Sequence, residues 1–232
     1  MAFRVSSLIS GKLIVLILVA ASIFAWSVMV TKYRELVNAQ KSSRKFQLAF
    51  RNEGHPLNLF LRRHAYPESP IYKVYEAGCI SLGGELTEGR QRVGDLFAAS
   101  ASLEDYHLNQ LQVEVVRRAT ERSVADQALA LESRMGILAT AVSASPLLGL
   151  LGTVWGVLDA FGAMAVAGAA NLSAVAPGIS AALLTTVVGL LVAIPSAIGY
   201  NVLTSKIREL AVQMDNFAQE FVAELQRRFV QQ

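Results

Sequence analysis

Three long apolar stretches interrupt an otherwise polar chain. The first, Leu13–Val30, runs without a charge. The second starts near Gly136 and ends near Ala167, and the third starts near Ala176 and ends near Leu203. A helix of roughly 20 apolar residues crosses a bilayer. All three stretches therefore predict membrane-spanning helices, and the last two are long enough to tilt, kink or project beyond the bilayer. Between Arg134 and Lys206 the single charged residue is Asp159. A water-soluble domain could not leave so long a segment unsolvated. Pro146 and Pro195 are the expected bend points, because a proline inside a helix loses a backbone hydrogen bond and clashes with the preceding turn.

The pattern predicts an all-α membrane protein: an N-terminal segment 1–12, spans at 13–30, 136–167 and 176–203, a helical segment 31–135 between the first two spans, a short loop 168–175 and a C-terminal helix 204–232. The first span reads as an uncleaved helix. A signal peptide has a shorter apolar core followed by small residues, whereas this run ends AWSVMVTKYR, with Trp26 and Tyr33 placed as interfacial aromatics. Basic residues set the expected orientation. Thr31–Met135 holds 15 Lys and Arg, the loop between the later spans holds none, and Lys206, Arg208, Arg227 and Arg228 follow the third span. The positive-inside rule then puts 31–135 and the C-terminus in the cytoplasm and the N-terminus outside, with 168–175 periplasmic.

The cytoplasmic part has two predicted helices. One runs from about Leu103 to Arg134, with Leu108, Leu111, Val115, Ala119, Ala125 and Leu129 at helical spacings, and is expected to continue unbroken into the second span. The other extends the third span. Its apolar stripe of Ile207, Leu210, Met214, Phe217 and Phe221 has to be buried, by packing on the first cytoplasmic helix or at a subunit interface. Residues 52–70 read as a loop, punctuated by Gly54, Pro56, Pro67 and Pro70.

Composition agrees with this picture: 53% hydrophobic, 17% charged and a mean hydropathy of +0.41. The net charge of +3 is interleaved with acids, so no nucleic-acid partner is expected. A lone cysteine, Cys79, leaves no internal disulfide and reads as a small buried apolar residue. His55, His64 and His107 lie among polar residues and read as solvated. No metal-ligand spacing, phosphate-binding glycine loop or nucleophile motif occurs. An enzyme is not expected, nor is a cofactor or a metal.

What polarity survives in the later spans is small. Gly149, Thr153 and Gly156 fall on one helix face, and Gly152 and Gly156 make a small-xxx-small pair that permits close helix approach. In the third span Gly178, Ala182, Thr186, Gly189 and Ala193 form a second stripe, and of the adjacent Thr185 and Thr186 only one can be central to it. Two readings of Thr153 and Thr186 stand side by side: hydroxyls bonded back to their own helices, or hydroxyls lining a wet path between helices. Asp159 has two as well, a solvated helix-end residue near the outer interface or an ion-path residue.

The stretches SASPLLGLLGTVWGVLDAF and APGISAALLTTVVGLLVAIPSAIGYN resemble the signature of the TolQ/ExbB proton-channel family, with flagellar MotA a more distant relative. The resemblance implies an inner-membrane homo-oligomer, typically a pentamer, around the transmembrane helices of a TolR/ExbD-type partner. That single-span partner carries the membrane aspartate that takes up and releases the proton. Proton-motive force thereby becomes mechanical work on the cell envelope, through a TolA/TonB-like protein. The family's pore-lining threonines fall on Thr153 and Thr186. Many members carry a glutamate where this chain has Ala181, and no swap of carboxylate with Asp159 is expected, because the two lie on different spans. The early first span looks more like the TolQ branch than the longer-fronted ExbB branch. Three readings from different classes follow: a motor subunit of the Tol-Pal or ExbB kind, a passive scaffold whose small residues only pack helices, and a self-sufficient ion carrier using Asp159.

Overall fold

The computed structural model describes residues 2–53, 55–62, 65–87, 108–167 and 172–229. They form six helices: α1 (Ala2–Asn52), α2 (Asn58–Leu61), α3 (Pro70–Thr87), α4 (Gln110–Glu132), α5 (Met135–Ala167) and α6 (Leu172–Phe229). No strand occurs among the described residues. Among the described residues three helices are long and apolar enough to cross a membrane, within Gly11–Asn52, Met135–Val166 and Val175–Phe229. The expected spans 13–30 and 176–203 are thus stretches of longer helices, whereas 136–167 is α5 but for its first residue. Of the predicted loop 168–175, residues 172–175 are already helical, and 168–171 lie outside the described residues. So do Gly54, His64, Leu103 and His107.

The chain divides into two compact units: residues 1–33 with 134–204, and residues 34–133 with 205–232. The first unit holds the early part of α1, all of α5 and the apolar half of α6. Pro146, Pro177 and Pro195 all sit inside continuous helices. The chain breaks between α4 and α5, where an unbroken helix is expected. Ser133 turns extended with ψ 139°, and Arg134 takes a left-handed φ of 68°, the one non-glycine residue there among the described residues. That conformation ends one helix and starts another, and a residue bearing a Cβ adopts it at a cost of about 1–2 kcal/mol.

The second unit is built on aromatic rings. Phe46 and Phe50 of α1, Tyr72 and Tyr75 of α3, and Phe217 and Phe221 of α6 all lie within ring-contact distance of one another's cluster, with Phe217 and Phe221 stacked at 6.2 Å. The expected α6 stripe is buried throughout, from Ile207 to Phe221, and the rings it meets come from α1 and α3. α3 was not visible in the sequence as a separate element. Pro70 supplies a prearranged first turn, and Ser69 before it accepts the Tyr72 N–H at 3.1 Å. Gly78 in the middle of α3 is required by space. A Cβ there would lie 2.7 Å from the Phe221 ring and 2.8 Å from the Thr120 methyl. Tyr75 ties down the loop before α2, donating to Pro56 O at 2.8 Å and accepting from Phe60 N–H at 3.1 Å.

The face of α4 differs from expectation. Its buried side is Val113, Val116, Thr120 and Leu131. Leu111 and Leu129, part of the expected apolar stripe, are 73% and 67% exposed, and Val115 is exposed too. The two stripes lie on opposite sides of the same helix. The wrong one is the more conspicuous in sequence, because the true one counts a threonine among its members.

Candidate functional site

α5 and α6 form an antiparallel hairpin whose seam is made of small residues. Across it Gly149 faces Thr185, Thr186 and Gly189, Gly156 faces Ala182, and Ala160 faces Gly178. The spacing leaves no room for side chains. A Cβ on Gly189 would come 2.6 Å from Ser145 O, and one on Gly149 would come 3.0 Å from Thr185 O. A Cβ on Gly156 would meet the Ala182 Cβ at 2.6 Å, and one on Gly152 would overlap the Thr185 side chain, 2.7 Å from its Cβ. Gly149, Gly152, Gly156, Ala182 and Gly189 are therefore all seam residues. Gly178 is at its margin: exposed, with a Cβ there 3.3 Å from Ala160 Cβ.

Close approach brings three hydroxyls onto one carbonyl. Thr153 Oγ1 lies 3.2 Å from Gly149 O, with Thr185 Oγ1 and Thr186 Oγ1 each at 3.1 Å. Thr153 and Thr186 also bond directly to each other across the hairpin, and either can be the donor. Ala182 O accepts from Thr185 at 2.6 Å and lies 3.3 Å from Thr153 Oγ1. The hydroxyls reach helix carbonyls, as the first reading of these threonines expects, and they also reach one another across the hairpin. Thr185 is the residue that sequence reasoning missed. It is buried and central, while Thr153 and Thr186 are half-buried at the seam's edge. Two adjacent threonines give periodicity no means of choosing between them.

α1 occupies one edge of this hairpin. Ile14 and Leu18 cluster with Val192, and Leu148 and Val188 pack against them. Further along, Met29 presses on Gly199. Thr153 follows Leu148 by five residues, about 140° around α5, which puts it on the opposite edge. The hydroxyl pair of Thr153 and Thr186 therefore borders the side that α1 leaves open. Outward-facing residues of both helices are apolar, among them Leu150, Val154, Leu158, Leu183 and Val187. Such a surface suits lipid or further subunits.

Asp159 does not join the threonines. Eleven residues after Leu148, it sits three turns along on α1's edge of α5. It stands between Gly156 and Ala160, level with Gly178 to Ala182 on α6. Its Oδ2 is buried without a hydrogen-bond partner. Ala181, exposed on α6, lies at that same level. Different spans, in an antiparallel hairpin, do not mean different depths.

Elsewhere the titratable groups are structural. Burial pushes the Cys79 thiol above its ordinary range, and burial likewise raises its neighbour Tyr75. A thiol held protonated is a poor nucleophile and a poor ligand. No cluster that could hold a metal ion occurs among the described residues.

Residues 90–216, which include the whole seam, match the MotA/TolQ/ExbB proton channel family. The Tol-Pal system protein TolQ of Haemophilus influenzae is 33% identical, over 93% of this chain and 89% of its own. The TolQ of Pseudomonas aeruginosa is also 33% identical, over 94% of this chain and 88% of its own. A biopolymer transport protein ExbB of Pseudomonas putida is 28% identical, over 88% of this chain and 56% of its own.

Proposed function

The chain belongs to the MotA/TolQ/ExbB proton channel family, and from that membership we propose that it is the inner-membrane subunit of a Tol-Pal-type motor driven by proton-motive force. Several copies, five by resemblance, surround the transmembrane helices of a TolR/ExbD-like single-span partner. The partner brings the membrane aspartate, and this chain brings the wall around it. Proton passage turns or shifts one set of helices against the other, and a TolA-like protein carries the motion to the envelope. The N-terminus lies outside and the C-terminus in the cytoplasm, as the Lys and Arg distribution favours. Catalysis on a substrate has no place in this reading.

One observation carries it: the hydroxyls of Thr153 and Thr186 meet at the hairpin edge that α1 leaves uncovered. A hydroxyl both donates and accepts, so it can position water or a partner carboxyl. At a closed, lipid-facing edge it would have no such use. Placed towards a central cavity, the pair supplies a polar patch in an otherwise apolar wall. The Tol-Pal reading is favoured over an ExbB-like energiser of TonB-dependent uptake by the fuller match to the TolQ relatives, which this chain covers to 89% and 88% against 56% for the ExbB of P. putida.

The test is proton flux in cells that produce this chain with its single-span partner. Flux should need both proteins and should fall in Thr186→Val while the oligomer survives. Flux indifferent to partner and threonine would return the field to a scaffold, or to a carrier built on Asp159.

A further inference from the structure

Within the second unit, α1, α3 and α4 border a cavity of about 360 Å³. That is the lower end of the roughly 300–1,000 Å³ usual for small-ligand sites. α1 contributes Glu35 and Asn38, the turn before α3 contributes Glu68, α3 contributes Lys73, and α4 contributes Gln127 and Leu131. Ser123 of α4 donates to Lys73 O at 3.4 Å, which ties α4 to the first turn of α3. Gln127 and Leu131 follow Ser123 in four-residue steps and share its face.

The charges around this cavity are not cancelled within the protein. Glu35 already has a partner. The side chains of Glu68 and Lys73 have none among the described residues, and they do not pair with each other. The carboxamides of Asn38 and Gln127 are unpartnered in the same way. One unpaired carboxylate and one unpaired ammonium on a single cavity suit neither a simple anion nor a simple cation, since each would meet a like charge. A ligand that carries both signs satisfies both.

The helices that line the cavity also lead into spans. Glu35 and Asn38 follow Val30, the last residue of the uncharged run, by five and eight residues of the continuous α1, about 8 and 12 Å. Leu131 stands in the last turn of α4, four residues before α5 begins. Headgroups occupy roughly the first 5–8 Å beyond the hydrocarbon, so with α1 across the bilayer the Glu35 edge of the cavity lies at headgroup depth. We propose that the cavity binds the headgroup of a phospholipid with a primary ammonium beside its phosphate, the phosphatidylethanolamine class. Glu68 accepts from the ammonium and Lys73 donates to the phosphate. Asn38 and Gln127, which both donate and accept, serve the remaining polar atoms. Leu131 offers the glycerol an apolar contact, and the acyl chains stay in the bilayer.

The experiment is native mass spectrometry of the full-length protein in detergent, titrated with phosphatidylethanolamine, phosphatidylcholine or phosphatidylglycerol. Phosphatidylethanolamine should be retained best, because choline has no N–H to donate and the glycerol headgroup has no cation. Its affinity should fall about tenfold in Glu68→Gln and in Lys73→Gln, and stay unchanged in Glu121→Gln, an exposed acid elsewhere on α4. Thermal midpoints of both cavity variants should match the parent, since neither side chain has a partner to lose. Equal retention in parent and cavity variants would overturn the proposal. Phosphatidylglycerol bound as tightly as phosphatidylethanolamine, with Lys73→Gln alone defective, would assign a plain anion site and overturn it too. Soluble phosphoethanolamine that displaced the lipid at equal concentration would assign a water-soluble ligand instead of a lipid. The site needs neither a protein partner nor proton flux, so this reading and the motor reading can fail separately.

Discussion

The two units of this chain are held together by opposite means. In the first, α5 and α6 meet through Gly149, Gly152, Gly156, Ala182 and Gly189, so closely that backbone touches backbone. In the second, α1, α3 and α6 meet through rings, with Phe46, Tyr75, Phe217 and Phe221 filling the space between helix axes. The contrast follows from the solvent. In water, burying a large ring is itself the driving force. In lipid, apolar surface gains nothing by leaving the bilayer, so helices associate by close packing and short polar contacts, and small residues serve best. One helix, α6, uses both vocabularies in turn along its length.

Exchanging the vocabularies should therefore do the most harm. Gly189→Leu drives a side chain at Ser145 O and should prevent the hairpin from closing, a loss beyond the roughly 1–3 kcal/mol usual for overpacking. Native electrophoresis of membrane extracts would show no assembled species, and an intact complex would refute the close seam. The mirror experiment is Phe217→Ala in the ring cluster. Loss of a buried phenyl costs about 3–5 kcal/mol, visible as a lowered thermal midpoint in detergent. A variant as stable as the parent would mean that the rings contribute little.

Smaller substitutions sharpen the comparison. Tyr75→Phe keeps the ring and removes the hydroxyl that serves Pro56 O and Phe60 N–H. About 1–3 kcal/mol should be lost, with faster proteolysis around residues 53–62 as its local sign. Thr185→Val removes a seam hydroxyl whose two carbonyl acceptors are also helix acceptors. It should cost about 1 kcal/mol and leave proton flux near normal, in contrast to Thr186→Val. Equal flux defects in the two would place both hydroxyls on the path and erase the distinction between seam and edge.

Much of this was legible in sequence, and the gaps have physical causes. Spans announce themselves through length and absence of charge, and small-residue stripes through their three- and four-residue steps. The α6 stripe from Ile207 to Phe221 could be read for the same reason. α4 could not, because burial there depends on which side α3 covers, and Leu111 and Leu129 outshine Thr120 as apolar markers. α3 itself hid behind its proline and glycines, whose roles in starting the helix and admitting the Phe221 ring are tertiary. The break at Arg134 had no glycine or proline at that position to betray it. As for the site, spacing pointed to Thr153 and Thr186, whereas the centrality of Thr185 and the shared depth of Asp159 and Ala181 needed the hairpin register.

Gly149 O already serves its own helix ladder, which leaves it room for one hydroxyl hydrogen, and Ala182 O is in the same position. Thr153, Thr185 and Thr186 carry three hydrogens between them. If Thr185 donates to Ala182 O, the remaining two can be arranged in either of two ways: Thr186 to the carbonyl with Thr153 donating to Thr186, or Thr153 to the carbonyl with Thr186 donating to Thr153. No heavy atom moves between these arrangements. The hairpin edge thus accommodates two arrangements of its hydroxyl hydrogens on one set of heavy-atom positions.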